Sequence, residues 1–256
     1  MTPRKAHAAL AGQRMVVVGG STGIGRGVAD TWAAAGAEVW VTSRRPPAGA
    51  GADALRWRAL DLTDRAAVRA VLAELTEGRL DAACYSAVHY GDRRANVRDV
   101  TEAEWLRQLD VNLHGLWLTV HAALPALRRA DPGLLLGISS EVVYNAGPGR
   151  SGYAATKAAA ASLLQSVAQE ERGERVRVVQ ALPEGMVDTP GIRRRRPDDF
   201  DFGDYMRAES FAPLALELAL TRGADFNGDS LVVGADGRWQ PAAEGLPESQ
   251  SRTLIA

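Results

Sequence analysis

The stretch VVVGGSTGIG, residues 16–25, decides how the rest of the chain reads. The run MVVV, residues 15–18, that leads into the glycines is apolar, so it predicts a short buried strand that stops at Gly19. Gly19, Gly23 and Gly25 come next in a G-x-x-x-G-x-G spacing, and Gly23 opens a helical pattern through Ile24 and Gly25. Backbone without side chains lets a phosphate come close, and the start of a helix offers free N–H groups and the positive end of its dipole. Ser21 and Thr22 add hydroxyl donors. A tight strand-to-helix turn that binds nothing has the same composition, so the distinction rests on the residues further along the chain.

The glycines sit inside a βαβ unit. GIGRGVADTWAAAGA reads as a helix closed by Gly36, and EVWVTSRR as the next strand. The alternation continues with strands in LRWRALDL, LDAACYSA, PGLLLGISS and RVRVVQAL, and with DSLVVGADG as the last of the series. Between them DRAAVRAVLAEL, a long stretch from Glu102 to Ala130, and the segment from Tyr153 to Gly173 are helical. Strands alternating with helices imply a mainly parallel sheet covered on both faces, a doubly wound Rossmann-like α/β fold. One domain is expected over 1–256, with its core at about 10–237 and a polar tail at 240–256. Gly191 to Ser210 reads as a long irregular loop, mobile without ligand and hinged at Gly191 and Gly203.

Composition sets outer limits. The 256 residues are 46% hydrophobic and 24% charged, with a formal net charge of -1, which argues against nucleic acid as a partner. The single cysteine, Cys84, leaves no intramolecular disulfide and fits a reducing compartment. No apolar run reaches the roughly 18 residues of a membrane span, and the basic start lacks the apolar stretch of a secretory signal. A cytoplasmic location is expected, and the Ala- and Arg-rich wording points to a high-GC bacterial source.

YAATK places Tyr153 and Lys157 four apart, on one face of a helix. A free phenol titrates near pH 10 and is a poor base at neutrality, whereas a nearby ammonium favours the phenolate. Ser140 lies thirteen positions before Tyr153, and Asn112 lies in LDVNLHG on the long helical stretch.

Taken with the glycine turn, these residues resemble the classical short-chain dehydrogenase/reductase family over nearly the whole chain, with a departure at the leading threonine of the glycine motif. The resemblance implies a catalytic set of Asn112, Ser140, Tyr153 and Lys157. Tyr153 exchanges a proton, Lys157 tunes it and binds the nicotinamide ribose, Ser140 fixes the substrate oxygen, and Asn112 supports a water relay. It also implies a dinucleotide bound by Gly19, Ser21, Thr22, Gly23, Ile24 and Gly25, with Asp61 at the adenine amino group and Leu62 at the ring. Ser43 stands where an NAD-preferring member has an acid, and Arg44 and Arg45 come directly after it, which predicts NADP(H). In LPEGMVDTP, Pro183, Gly185, Val187 and Thr189 match the segment beside the nicotinamide only if Glu184 is an insertion. The larger departure is YSAV, Tyr85 to Val88, in place of the family's N-N-A-G; its Ser86 and Ala87 would line the cofactor.

The expected activity is hydride transfer between NADP(H) and a small carbonyl or secondary alcohol, as a reductase of a bacterial biosynthetic or metabolic pathway. The family implies a homodimer or homotetramer. The alternatives are a non-catalytic NADP-binding scaffold or sensor, supported by YSAV and LPEG, and a redox-neutral biosynthetic enzyme. No metal is expected, since His89, His114 and His121 have no partner at metal-ligand spacing. The run Arg193 to Arg196 reads as a solvated loop or as a site for an anionic substrate, and Glu141 beside Ser140 argues against the second. Trp32, Trp105 and Trp117 are expected to pack in the core, and Trp239 near a subunit interface or the substrate cleft.

Overall fold

The computed structural model describes residues 8–242. Its centre is one eight-stranded sheet in the order β3-β2-β1-β4-β5-β6-β7-β8. The strands are β1 Arg14–Val18, β2 Glu38–Ser43, β3 Arg56–Ala59, β4 Ala82–Tyr85, β5 Gly133–Ile138, β6 Val176–Pro183, β7 Ser230–Val233 and β8 Trp239–Pro241. The first seven run parallel. The order reverses between β1 and β4, which opens a crevice at the C-terminal ends of these two strands.

Successive side chains of a strand point to opposite faces, and β1 shows the consequence. Met15 and Val17 pack with Val28 and Trp32 of α1 (Gly23–Ala34), and Val16 and Val18 pack with Leu72 of α2 (Arg65–Leu75). Helices α3 (Glu102–Leu109), α4 (Gly115–Leu127) and α5 (Ser151–Glu171) precede α6 (Ala212–Thr221). Residues of α4 and α5 complete the α2 face, and those of α6 complete the α1 face. Burial of each such side chain contributes about 1.5–3 kcal/mol. Trp32 also donates from Nε1 to the Ala215 carbonyl at 2.8 Å, which ties α1 to α6.

Three expectations need correction. The long helical stretch is not regular: Asp110–His114 form a π turn between α3 and α4, and Asn112 lies on it, buried. DSLVVGADG is not the last strand, because β8 comes after it and pairs antiparallel with β7, so the tail expected from Gln240 starts as sheet edge. Residues 243–256 lie outside the described residues. Of the three helical tryptophans, Trp32 is buried, but Trp105 and Trp117 are 38% and 42% exposed. Trp117 instead packs against His114 and His121 on the surface of α4.

Tyr85 explains the departure in YSAV. Its hydroxyl donates to the Val111 carbonyl, which belongs to the π turn. Gly115 leaves the room, since a Cβ there would stand 2.6 Å from that hydroxyl. Burial holds the phenol neutral by pushing its pKa up. An aromatic side chain from the sheet thus props the helix turn that carries Asn112.

Candidate active site

The glycine turn lies at the C-terminal end of β1, in the crevice. Gly19 has φ +86°, and a Cβ there would meet the Ala87 nitrogen at 2.4 Å. Ser86 and Ala87, whose nitrogens both donate to the Val18 carbonyl, therefore lie directly against the turn. A Cβ on Gly25 would stand 2.5 Å from the Gly19 carbonyl. Thr22 caps α1 in an extended conformation without a side-chain hydrogen bond, and the first turn of the helix holds no acid. The N–H groups there and the Thr22 hydroxyl are disposed to take an anion.

Beyond β2, Arg44 and Arg45 are exposed. Ser43 accepts from Trp57 Nε1 at 3.0 Å and donates to the Arg45 carbonyl at 2.6 Å, which fixes the course of the loop. Arg26 of α1 pins the same loop through the carbonyls of Ala48 and Ala50, at 2.9 and 2.7 Å. Asp61 accepts at Oδ1 from the backbone and hydroxyl of Thr63, and the backbone bond is the leading cause that holds its carboxyl below the usual range, with Arg44 adding to it. Leu62 beside it is buried. A bare turn, an uncapped helix start and a guanidinium pair at the next strand fit a phosphorylated dinucleotide.

Ser140 follows β5, Tyr153 and Lys157 lie on α5, and Asn112 lies on the π turn packed against α5, all of them nine-tenths buried. Ser140 works against the burial that raises the Tyr153 phenol, holding its pKa down in part. Lys157 donates from Nζ to the Ile138 carbonyl at 2.7 Å, at the end of β5. Burial, then Tyr90, raise the phenol well above 10, and burial lowers the ammonium to about 8. Asn112 accepts from the His89 nitrogen at 2.7 Å and donates to the His89 carbonyl at 2.9 Å and to Thr156 Oγ1 at 3.0 Å. Its amide ties the exit of β4 to α5. A cavity of about 10 Å³, at the lower limit for one water, lies between Tyr85, Asn112, Lys157 and Gln180.

The site has two unlike walls. Val88 and Tyr90 pack against Val142, Tyr153 and Ala154, with the Tyr90 and Tyr153 ring centroids 5.0 Å apart. Beside them, Ser140 donates to Glu141 Oε2 at 2.6 Å, and Arg150 Nη1 donates to Glu141 Oε1 at 3.0 Å. Residue spacing along the chain carries no sign of this Ser140–Glu141–Arg150 chain. Arg150 also answers the objection that Glu141 repels anions, because the pair is neutral together.

Past β6 the extra residue Glu184 is absorbed by the sheet, its nitrogen bonding the Val233 carbonyl of β7 at 2.9 Å. Pro183 ends β6, the Gly185 nitrogen faces Met206 Sδ, and Val187 bridges to Met206. Thr189 caps the short helix Pro190–Arg193 and touches the glycine turn, with Cγ2 3.1 Å from where a Gly23 Cβ would be. The 191–210 segment is not irregular throughout: Phe200, Phe202 and Tyr205 stack edge to face, and Arg193 and Arg196 lie over these rings. Gly191 and Gly203 are absent from the positive-φ glycines, so neither uses the freedom expected of a hinge. Arg193 pairs with Asp188, and Arg195 donates to the Gly91 carbonyl. His89, read as partnerless, in fact contacts Glu104 at 2.8 Å, and with Asp92 the three offer ligand atoms within 4.8 Å of one another.

A family model for the short chain dehydrogenase matches residues 13–199. The chain belongs to the short chain dehydrogenase family. It is 31% identical over 200 residues to 2-keto-3-deoxy-L-fuconate dehydrogenase of Xanthomonas campestris pv. campestris, covering 75% of this chain and 64% of that relative. Galactitol 2-dehydrogenase of Rhizobium johnstonii is 32% identical, with 72% and 75% of the two chains covered. A crystal structure assigned as an NAD(P)-dependent gluconate 5-dehydrogenase of Beutenbergia cavernae, with NADP bound at low occupancy, superposes with a TM-score of 0.78 at 27% identity, over 90% of this chain and 98% of that one. That structure shares the doubly wound sheet, and the chain is an oxidoreductase by its family membership. No described helix is long and apolar enough to cross a membrane.

Proposed function

We propose that the protein is an NADP(H)-dependent reductase that interconverts a small carbonyl and a secondary alcohol. The observation that carries this reading is the burial of Ser140, Tyr153 and Lys157 past the C-terminal end of β5, with the Lys157 ammonium on the Ile138 carbonyl. When bound, the cofactor supplies the hydride that reaches the carbonyl carbon. The glycine turn and the start of α1 would hold its pyrophosphate, and Arg44 with Arg45 its 2′-phosphate. Tyr153 and Lys157 would meet its ribose. Tyr153, with its pKa raised, holds the proton that it hands to the carbonyl oxygen, so that one C–H and one O–H bond replace the C=O π bond. Ser140 orients that oxygen, and the walls of Val88, Tyr90 and Val142 exclude water. A phosphate preference is supported by the two exposed arginines and the missing acid at Ser43. Exposed Trp105, Leu106 and Trp117 support self-association, for which a homo-oligomer is the reading. NADPH consumption across a panel of ketones tests the activity. Tight NADPH binding with no turnover of any carbonyl favours the scaffold instead.

A further inference from the structure

We infer that Glu141, held by Arg150, selects carbonyl substrates that carry a hydroxyl on the carbon next to the reacting one. This rests on the reductase reading above. Ser140 has one proton to donate, and it is given to Glu141 Oε2 at 2.6 Å. To orient a substrate carbonyl, Ser140 turns that proton to the carbonyl oxygen. Oε2 then has no donor, because Arg150 Nη1 reaches Oε1 and Nη2 reaches Asn145 Oδ1 at 3.3 Å. The side chains of Glu141 and Arg150 are only 25% and 23% exposed, so bulk water replaces the lost donor poorly. A substrate with an α-hydroxyl brings its own. Its hydroxyl donates to Oε2 while its carbonyl oxygen accepts the Ser140 proton, so both acceptors keep a donor once the Ser140–Glu141 bond is given up.

The charge decides between hydroxyl and ion. Glu141 and Arg150 cancel, so neither an ammonium nor a carboxylate finds a net opposite charge there. The pair is also built to stay. Gly147 has φ +85°, and a Cβ there would fall 2.3 Å from Arg150 Nη2, so the turn leaves room for the guanidinium. Glu141 bears on both Tyr153 and Lys157 electrostatically, which places it at the reacting end of the site.

The test uses four phenyl ketones with NADPH: 2-hydroxyacetophenone, 2-methoxyacetophenone, 2-aminoacetophenone and phenylglyoxylate. The methoxy compound keeps the inductive activation and lacks the donor. The wild type is expected to favour hydroxy over methoxy by about ten- to hundredfold in kcat/KM, the range for a hydrogen bond to a charged group. Glu141→Ala brings that ratio near one, whatever happens to the absolute rates. A second readout needs no turnover: 1-phenyl-1,2-ethanediol raises the melting temperature of the wild type more than 1-phenylethanol does, and the difference disappears in Glu141→Ala. Equal kcat/KM for the hydroxy and methoxy ketones, or a ratio that Glu141→Ala leaves intact, overturns this inference and leaves the reductase standing. Preference for the amine or the carboxylate overturns it as well. Failure to reduce any ketone while NADPH still binds overturns the reductase reading itself.

Discussion

The glycine turn after β1 and the Ser140–Arg150 segment after β5 lie at the same edge of one sheet, yet they are constructed in opposite ways. The first is made of backbone. Gly19 is required because the exit of β4 presses against it, and Gly25 because the Gly19 carbonyl does. The second is made of side chains that reach across a loop: Ser140 to Glu141, Glu141 to Arg150, Arg150 to Asn145. A backbone site tolerates no added atom but is indifferent to distant residues. A side-chain site tolerates small changes of shape but fails when one partner is lost. In the function proposed above, the first part would hold the cofactor and the second would face the substrate.

The largest expected effect falls on the side-chain half. Tyr153→Phe keeps the packing against Tyr90 and removes the proton, so kcat drops by about 10²–10⁴ while NADPH affinity stays within about twofold. If kcat persists, another group supplies the proton and the two halves are not divided as described. On the backbone half, Gly19→Ala forces a side chain onto φ +86° and into the Ala87 backbone. Strain of this kind costs about 1–3 kcal/mol before the clash is counted. Denaturant unfolding should show that loss, and NADPH titration should show weakened binding even in protein that stays folded.

Arg44→Ala tests the one place where the backbone half depends on charge. NADPH binding should weaken by about 1.5–3 kcal/mol, with NADH little changed, in parallel titrations. Wild-type affinity that is the same for both cofactors ends the claim of phosphate selection. Lys157→Met comes next. Burial lowers the Lys157 pKa to about 8, so below pH 8 the folded protein bears the full cost of a buried ammonium. That cost fades as pH rises from 8 to the unfolded value of 10.5. The variant should therefore gain roughly 1–3 kcal/mol at pH 7, part of it offset by the Ile138 carbonyl left unpaired, and the gain should vanish by pH 10.5. A stability difference that does not move with pH contradicts the buried charge. The smallest effect is expected from Arg196→Gln, which removes a cation from the Phe200 and Tyr205 faces. Hydrogen exchange over residues 193–206 should quicken, with global stability changed by less than about 1 kcal/mol.

Legibility in the sequence divides along the same line. The glycine turn, the seven parallel strands and the Tyr153–Lys157 pair depend on neighbours within a few positions, and periodicity exposes them. Glu141 and Arg150 are brought together by a turn with φ +48° at Ala146 and +85° at Gly147, which no alternation of apolar residues announces. The aromatic cluster at Phe200, Phe202 and Tyr205 is hidden among aspartates and arginines, where charge dominates the pattern. The edge strand β8 is three residues long, too short to show a period. His89 and Glu104 meet only because α3 folds back across the exit of β4.

The π turn at Asp110–His114 carries a consequence for how this chain can change its length. A π turn is one residue more than an α-helix needs, and each residue turns a helix by about 100°. Deleting a single residue between Asp110 and His114 would let α3 and α4 join as one regular helix, but it would rotate all of α3 relative to α4. Glu104 would swing away from His89, Gln108 from Gly91, and Asn112 would leave Thr156. The Tyr85 hydroxyl would lose its bond to the Val111 carbonyl. A one-residue deletion is thus a larger event here than most substitutions, and descendants of this chain that lose that residue should be found to have replaced Tyr85 as well.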